Sequence, residues 1–308
     1  MRHDESLPPV PRRPLRLAAA ALLCLGLAGC GGGEGPGPGL AGPGATGATT
    51  APSSASPAAS SPKPTPTRTA SPSASASRTP DAPTGPLSGK TVVVDPGHNP
   101  TNHLHTAEIN RQVDIGTGRK ECDTTGTSTN GGYAEAEFTL DVAHRLRKLL
   151  RAQGAEVILT YDRDRPWGPC VDERARLGNR EHADAVVSIH ADGSAVGNRG
   201  FHVILPAAVR GGGADTSKIV EPSRDLGTRI AGLFVRSTGS SPSNYVGGKT
   251  GLDVRKDLGG LNLSTVPKVF IECGNMRDPK DAALLTSGGW RQKAAQGIAD
   301  GISSYLKG

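Results

Sequence analysis

The chain has 308 residues, with 42 Gly, 25 Pro and only 3% aromatic residues, so any core must be built from Val, Leu, Ile and Ala. That length would allow about two domains, but Gly and Pro are concentrated early and exclude a packed N-terminal domain. The formal net charge of +6 would suit an anionic partner; scattered basic residues without aromatic interleaving argue against nucleic acid.

Residues 1–30 read as a targeting segment rather than as structure. Arg12, Arg13 and Arg16 form a positive n-region, and Leu17 to Leu27 a short apolar h-region. The apolar run is too short to span a bilayer with its own flanks. It ends in Leu27-Ala28-Gly29-Cys30, which resembles a bacterial lipobox and implies cleavage and lipidation at Cys30. On that reading the protein is exported and held to the cell membrane by a lipid anchor, facing the cell wall. A plain signal peptide cut near the same place is the alternative, and the Arg12-Arg13 pair leaves twin-arginine export open.

Residues 31–86 are almost entirely Gly, Pro, Ala, Ser and Thr. Too little apolar side chain is present to offset ordering entropy, so a disordered linker is expected. Stretches such as Ser61-Pro-Lys-Pro-Thr-Pro-Thr67 are expected to be locally extended. A single globular domain should then occupy 87–308, close to the usual single-domain maximum.

Within that domain, Thr91-Val-Val-Val-Asp95 reads as a buried strand, stopped and turned by Pro96-Gly97. A long polar loop is expected over 99–132; a loop of that length is usually a lid or groove wall. Apolar residues at Phe138, Val142, Leu146, Leu149 and Leu150 have helical spacing, and Gly154 ends that helix. Ala155–Thr160 is a second strand and Val171–His182 a second helix. Strands ending at His190, at Leu205 and at Glu272 follow, with helices over Pro222–Ser237 and Trp290–Leu306. Alternating strands and helices predict an α/β fold: a mostly parallel twisted sheet flanked by helices.

Three of those strands end in chemistry. His98 falls just past the carboxyl end of the first strand, where open α/β sheets put their ligands. A lone His in a turn is more often only a loop residue, but Asp184-Ala-Val-Val-Ser-Ile-His190 repeats the arrangement and Pro267-Lys-Val-Phe-Ile-Glu272 ends in a carboxylate. A catalytic zinc takes three protein ligands from His and Asp/Glu and keeps one position for water. His98 and His190 would supply two. The third should be a carboxylate at the start of the Phe138 helix, where Glu135 is the best placed; a first-turn acid complementing the helix dipole is the bland reading, and it fits Glu137 as well.

Of the five cysteines, Cys24 lies in the removed signal and Cys30 is the lipidation candidate. Cys122 and Cys170 sit in polar loops and, in an exported protein, are expected to pair as a disulfide. Cys273 follows Glu272 on an apolar strand and reads as a buried free thiol.

Asp95-Pro-Gly-His98, Glu135 ahead of Phe138-Thr-Leu-Asp-Val-Ala143, Ser188-Ile-His-Ala-Asp192 and Pro267-Lys-Val-Phe-Ile-Glu272 resemble the zinc-dependent N-acetylmuramoyl-L-alanine amidases of the amidase type 3 family. The likeness runs in order over essentially all of Lys90 to Leu306, and Arg174 and Asn179 also match the family. There the Glu five residues ahead of an apolar helix Leu is a ligand. Leu140 sets that register, so the resemblance implies His98, Glu135 and His190 holding one Zn²⁺ per chain. It implies Glu272 as the catalytic base, which takes a proton from water and passes it to the leaving amine.

The implied substrate is peptidoglycan, cut at the amide between the muramic acid lactyl group and L-alanine. Another zinc-dependent cell-wall peptidase, or a non-catalytic wall-binding lipoprotein, is the alternative. A monomer is expected. The chain departs from the family at Tyr161, where Arg is usual, at Cys-Gly-Asn-Met-Arg277 in place of a common Gly-Phe, and in a longer loop around Cys122. These departures touch the groove rather than the metal site.

Overall fold

The computed structural model describes residues 84–308. The targeting segment, Cys30 and nearly all of the linker expected over 31–86 lie outside the described residues. In chain order the elements are β1 (Thr91–Pro96), α1 (Thr106–Ile109), β2 (Gln112–Asp114), β3 (Arg119–Glu121), α2 (Glu135–Arg151) and β4 (Glu156–Leu159). Then come α3 (Val171–Arg180), β5 (Ala185–Asp192), β6 (His202–Pro206), β7 (Arg210–Gly211), β8 (Ala214–Asp215) and α4 (Val220–Thr238). The last are β9 (Leu252–Arg255), α5 (Gly259–Asn262), β10 (Lys268–Asn275), α6 (Pro279–Leu285) and α7 (Gly288–Lys307).

Six strands form one sheet in the order β4-β1-β5-β10-β6-β9. The first four are mutually parallel, β6 runs antiparallel to β10, and β9 is again parallel to β6. The α/β fold with a mostly parallel sheet is therefore as expected. Alternation along the strands divides the residues between two faces. Val92 and Val94 of β1 and Val187 and Ile189 of β5 join the large core with α2, α4 and α7, whereas Val93 and Val186 pack with Leu177 of α3 on the other face.

The helix over α2 forms as its pattern predicts, with Phe138, Val142, Leu146 and Leu150 all fully buried at i, i+4 spacing. Helices α4 and α7 cross closely because α7 offers Gly297 and Gly301 at the contact. A Cβ on Gly301 would stand 2.5 Å from the Ile230 Cα, and one on Gly297 2.8 Å from the Phe234 Cα.

One expectation needs correction. The stretch 99–132 is not without structure: it holds α1 and the β2–β3 hairpin, whose Gln112–Asp114 and Arg119–Glu121 pair antiparallel. These strands of three residues are too short and polar to show alternation. Strand β9 and the short helices α5 and α6 also lacked a sequence signal; β9 is an edge strand whose Val254 is exposed. The hairpin is nonetheless anchored. Cys122 and Cys170 are joined by a disulfide and form a small second core with Val113 and Ile115, against Trp167 and Val171. Cys273 is a buried free cysteine.

Candidate active site

The parallel strands β1 and β5 place His98 and His190 side by side. Gly97 donates its N–H to the Ile189 carbonyl at 2.9 Å, which brings the β1 turn against β5. Only glycine fits there, since a Cβ on Gly97 would lie 2.2 Å from His190 Cε1. His98 itself adopts φ 61°, an uncommon left-handed conformation for a side-chain-bearing residue. The two imidazoles meet edge to face at 4.9 Å, and His190 stacks on Phe270 at 5.2 Å.

Glu135, the first residue of α2, closes the set. Its Oε2 lies 3.2 Å from His98 Nε2 and its Oε1 3.0 Å from His190 Nδ1. The same carboxylate accepts the Thr127 N–H at 3.0 Å and the Ala191 N–H at 3.1 Å, which fixes its orientation. One ligand atom from each of His98, Glu135 and His190 can be chosen so that all lie within 4.8 Å of one another. His98 Nδ1 faces the Thr124 carbonyl at 3.1 Å. A carbonyl only accepts, so Nδ1 carries a proton, and Nε2 is the ring nitrogen turned towards Glu135. Gly126, at φ 72°, leaves the room; a Cβ there would come within 2.8 Å of both Glu135 Oε2 and His98 Cδ2.

Burial disfavours charge on Glu135, but His98 and His190 outweigh it and hold the carboxyl well below the usual carboxylate range. Glu137, two residues on, is outside this group and pairs with Arg163 on the surface.

Glu272 stands next to the set through strand register. It is directly opposite His190 on β5 and His202 on β6. Its Oε2 is buried and has no hydrogen-bond partner. Burial first, and then the charges of Glu135 and Asp192, raise its carboxyl well above the ordinary range. Glu272, His98, Glu135 and His190 all line one open cleft of about 310 Å³, together with Arg255 and Leu258.

Beneath the cleft lies a buried ionic cluster. Arg174 donates to Asp95 Oδ1 at 2.7 Å, to Asp123 Oδ2 at 3.0 Å, and to the Pro96 and His98 carbonyls at 2.6 and 3.0 Å. Lys268, Ser188 and Thr160 complete the bonds to Asp95 at 3.3, 2.8 and 2.7 Å. Arg174 thus grips the backbone on both sides of the turn that carries His98. Tyr161 is buried beneath this guanidinium, which lies 5.5 Å from its ring centroid. Asn179 instead bonds the Leu263 carbonyl and the Thr265 N–H, holding the approach to β10.

Three neighbours were not singled out from sequence. Asp123 lies between Arg174 and His98; burial would raise its carboxyl, but Arg174 and His98 bring it to about 2. The Tyr245 hydroxyl donates to Asp192 Oδ2 at 2.6 Å, and Tyr245 meets His202 edge to face at 5.9 Å. His202 interrupts an apolar strand, a signal that could have marked it; Tyr245 and Asp123 are loop residues with none.

Comparison with known proteins agrees with this geometry. The model of the N-acetylmuramoyl-L-alanine amidase family matches residues 92–304. The N-acetylmuramoyl-L-alanine amidase Rv3717 of Mycobacterium tuberculosis is 41% identical over 225 residues, covering 71% of this chain and 88% of that protein. The crystal structure of the amidase Ami1 from Mycobacterium smegmatis is similar at TM-score 0.65 and 40% identity, over 71% of this chain and 98% of that one. The apo Ami1 of Mycobacterium abscessus gives TM-score 0.66 and 40% identity, over 71% of this chain and all (100%) of that one. A match of this extent, over the strands and helices that build the cleft, means that the chain belongs to the N-acetylmuramoyl-L-alanine amidase family.

Proposed function

We propose that the protein is a zinc-dependent peptidoglycan hydrolase that cleaves the amide between the N-acetylmuramic acid lactyl group and the L-alanine of the stem peptide. His98, Glu135 and His190 hold the metal, and Glu272 is the catalytic base. The observation that carries this reading is Glu272 Oε2, a buried carboxylate oxygen without a partner, in the same cleft as a His–Glu–His set. A buried polar atom left unsatisfied costs stability, and such a group is most economically explained by a ligand or a proton to be moved.

The donor set fits zinc: two imidazoles and one carboxylate are a common catalytic combination, and Gly97 and Gly126 keep the space among them clear. When bound, zinc would supply Lewis acidity at the scissile carbonyl. The remaining chemistry belongs to the chain. Glu272 takes a proton from the attacking water and returns it to the leaving L-alanine nitrogen. Arg174 and the Thr124 carbonyl fix the His98 backbone and ring, and the packed Phe270 fixes His190.

The same reading assigns residues 1–30 to a signal peptide ending at Cys30, 31–86 to a linker and 87–308 to the catalytic domain. Export with lipidation at Cys30 would anchor a monomeric enzyme to the membrane, with the linker extending towards the wall. Mass spectrometry of peptidoglycan digested by the domain from Leu87 onward tests the bond assignment. Free stem peptides beginning with L-alanine are expected, and fragments cut within the stem would overturn it. Chelation should abolish digestion, and Glu135→Gln should lose zinc where Glu137→Gln keeps it.

A further inference from the structure

Glu272 has a neighbour in the same condition. His202 of β6 is 4% exposed, and its Nδ1 is buried without a hydrogen-bond partner. Among the described residues five buried side-chain polar atoms lack a partner, and only Glu272 Oε2 and His202 Nδ1 belong to residues in direct strand register. Directly paired residues on neighbouring strands put their side chains on one face, and alternation identifies that face. Phe201, Val203 and Leu205 of β6 join the main core, as do Val269, Ile271 and Cys273 of β10. His202 and Glu272 therefore project to the opposite side, the side on which Ile204, Phe270 and Glu272 line the cleft. His190, Glu272 and His202 make one row across β5, β10 and β6.

The imidazole is held in place by the chain beyond α4. The Phe201 N–H donates to the Ser241 carbonyl at 3.1 Å, and the Ser243 N–H to the Phe201 carbonyl at 2.7 Å. This segment runs beside the entry to β6 and brings Tyr245 against His202, edge to face at 5.9 Å. Tyr245 is anchored in turn by its hydroxyl on Asp192. Burial lowers the His202 pKa, helped by Arg255 and opposed by Asp192 and Asp253, so the ring is neutral at neutral pH. A neutral imidazole has one N–H to give, and it gives it without adding a cation to the cleft.

An ionised carboxylate with a buried oxygen needs a donor there. Asp95 has Arg174 and Lys268; the donor that register sets beside Glu272 is His202. Building on the reading of Glu272 as the base, we infer that His202 is its positioning residue: the His202 Nδ1–H, through one bridging water, holds Glu272 Oε2 and leaves Oε1 as the oxygen that takes and returns the proton. The two side chains do not bond each other directly, and a water that bridges two polar groups is nearly as good as a direct hydrogen bond. The imidazole keeps its own proton throughout, so His202 orients the base and transfers nothing.

The test measures kcat and KM on a disaccharide carrying a full stem peptide, with zinc content and melting temperature on each preparation. His202→Phe keeps a ring and removes the donor. It should lower kcat by about 10–100-fold while KM, zinc and melting temperature hold. His202→Asn, whose amide falls where Nδ1 was, should recover most of that loss; His202→Gln, whose amide falls where Nε2 was, should not. Placed in the Glu272→Gln protein, His202→Phe should have almost no further effect, because residues that act as a unit are not additive. An unchanged kcat in folded His202→Phe would overturn the inference, and so would a full additional loss in the Glu272→Gln background. If His202→Phe fails to fold, equal kcat in His202→Asn and His202→Gln overturns it. A wild-type protein that releases no L-alanine-terminated peptide would instead overturn the amidase reading on which the inference rests.

Discussion

Asp95 and Glu272 are both carboxylates on parallel strands, β1 and β10, that lie on either side of β5, yet their surroundings are finished in opposite ways. Asp95 is 1% exposed and is bonded to Arg174, Lys268, Ser188 and Thr160. Burial would raise its carboxyl, but Lys268 and Arg174 together hold it well below the usual range. Glu272 has no cation bonded to it and keeps one buried oxygen without a partner. The comparison separates a carboxylate that holds the fold from one whose hydrogen-bonding capacity is kept in reserve, and it does so through partners rather than through burial.

The largest expected effect is on Glu272. Glu272→Gln keeps size and reach but cannot accept a proton, so peptide release should fall by about 10²–10⁴-fold while zinc content and melting temperature stay the same. Near-normal release with full zinc would place Glu272 with Asp95 as a structural acid. Next is the opposite change on the other side of the comparison. Arg174→Met leaves Asp95 and Asp123 without their shared cation, and removing one partner of a buried pair costs about 3–5 kcal/mol. Denaturant unfolding reads that loss, and a loss under about 1 kcal/mol, the level of an exposed pair, would break the distinction.

Acid sharpens the same point. A carboxyl whose folded-state pKa is depressed adds stability that is present above its unfolded value and lost as pH falls through the folded one. For Asp123 that window runs from the ordinary 3.8 down to about 2. Stability should therefore decline across it, and Asp123→Asn should flatten that part of the profile. Reducing the Cys122–Cys170 bridge, which spans 48 residues, should cost about 2–4 kcal/mol, with the unfolding midpoint as readout. The smallest effect belongs to Glu137, whose pair with Arg163 lies on the surface. Glu137→Gln should change stability by less than about 1 kcal/mol.

His98, His190 and Glu272 were legible in the sequence because each follows a local apolar run, which is how a strand shows itself. The helix of α2 was legible for the same reason. The choice of Glu135 over Glu137 was not: both are first-turn acids, and only the family resemblance, counted from Leu140, favoured one. The ionic cluster was hidden because Asp95, Asp123, Arg174 and Lys268 are far apart in the chain, and their bonds exist only once β1, β10 and α3 are packed. The hairpin and β9 were hidden because strands of three or four residues carry too little pattern.

The close crossing of α4 and α7 also bears on when this domain becomes a domain. Helix α7 supplies Trp290, Ala294, Ile298 and Ile302 to the main core, and it packs against both α2 and α4. It follows every strand in chain order. A chain that emerges N-terminus first can pair β1 with β4 and β5 and lay α2 on them, but the sides of α2 and α4 that meet α7 stay bare until it arrives. Folding must therefore wait on contacts between distant parts of the chain, the kind that form slowly and expose sticky surface meanwhile. The His–Glu–His set draws on the turn after β1, on α2 and on β5, all of which precede α4 and α7 in the chain, and so its three side chains can come together before the layer that secures them is complete.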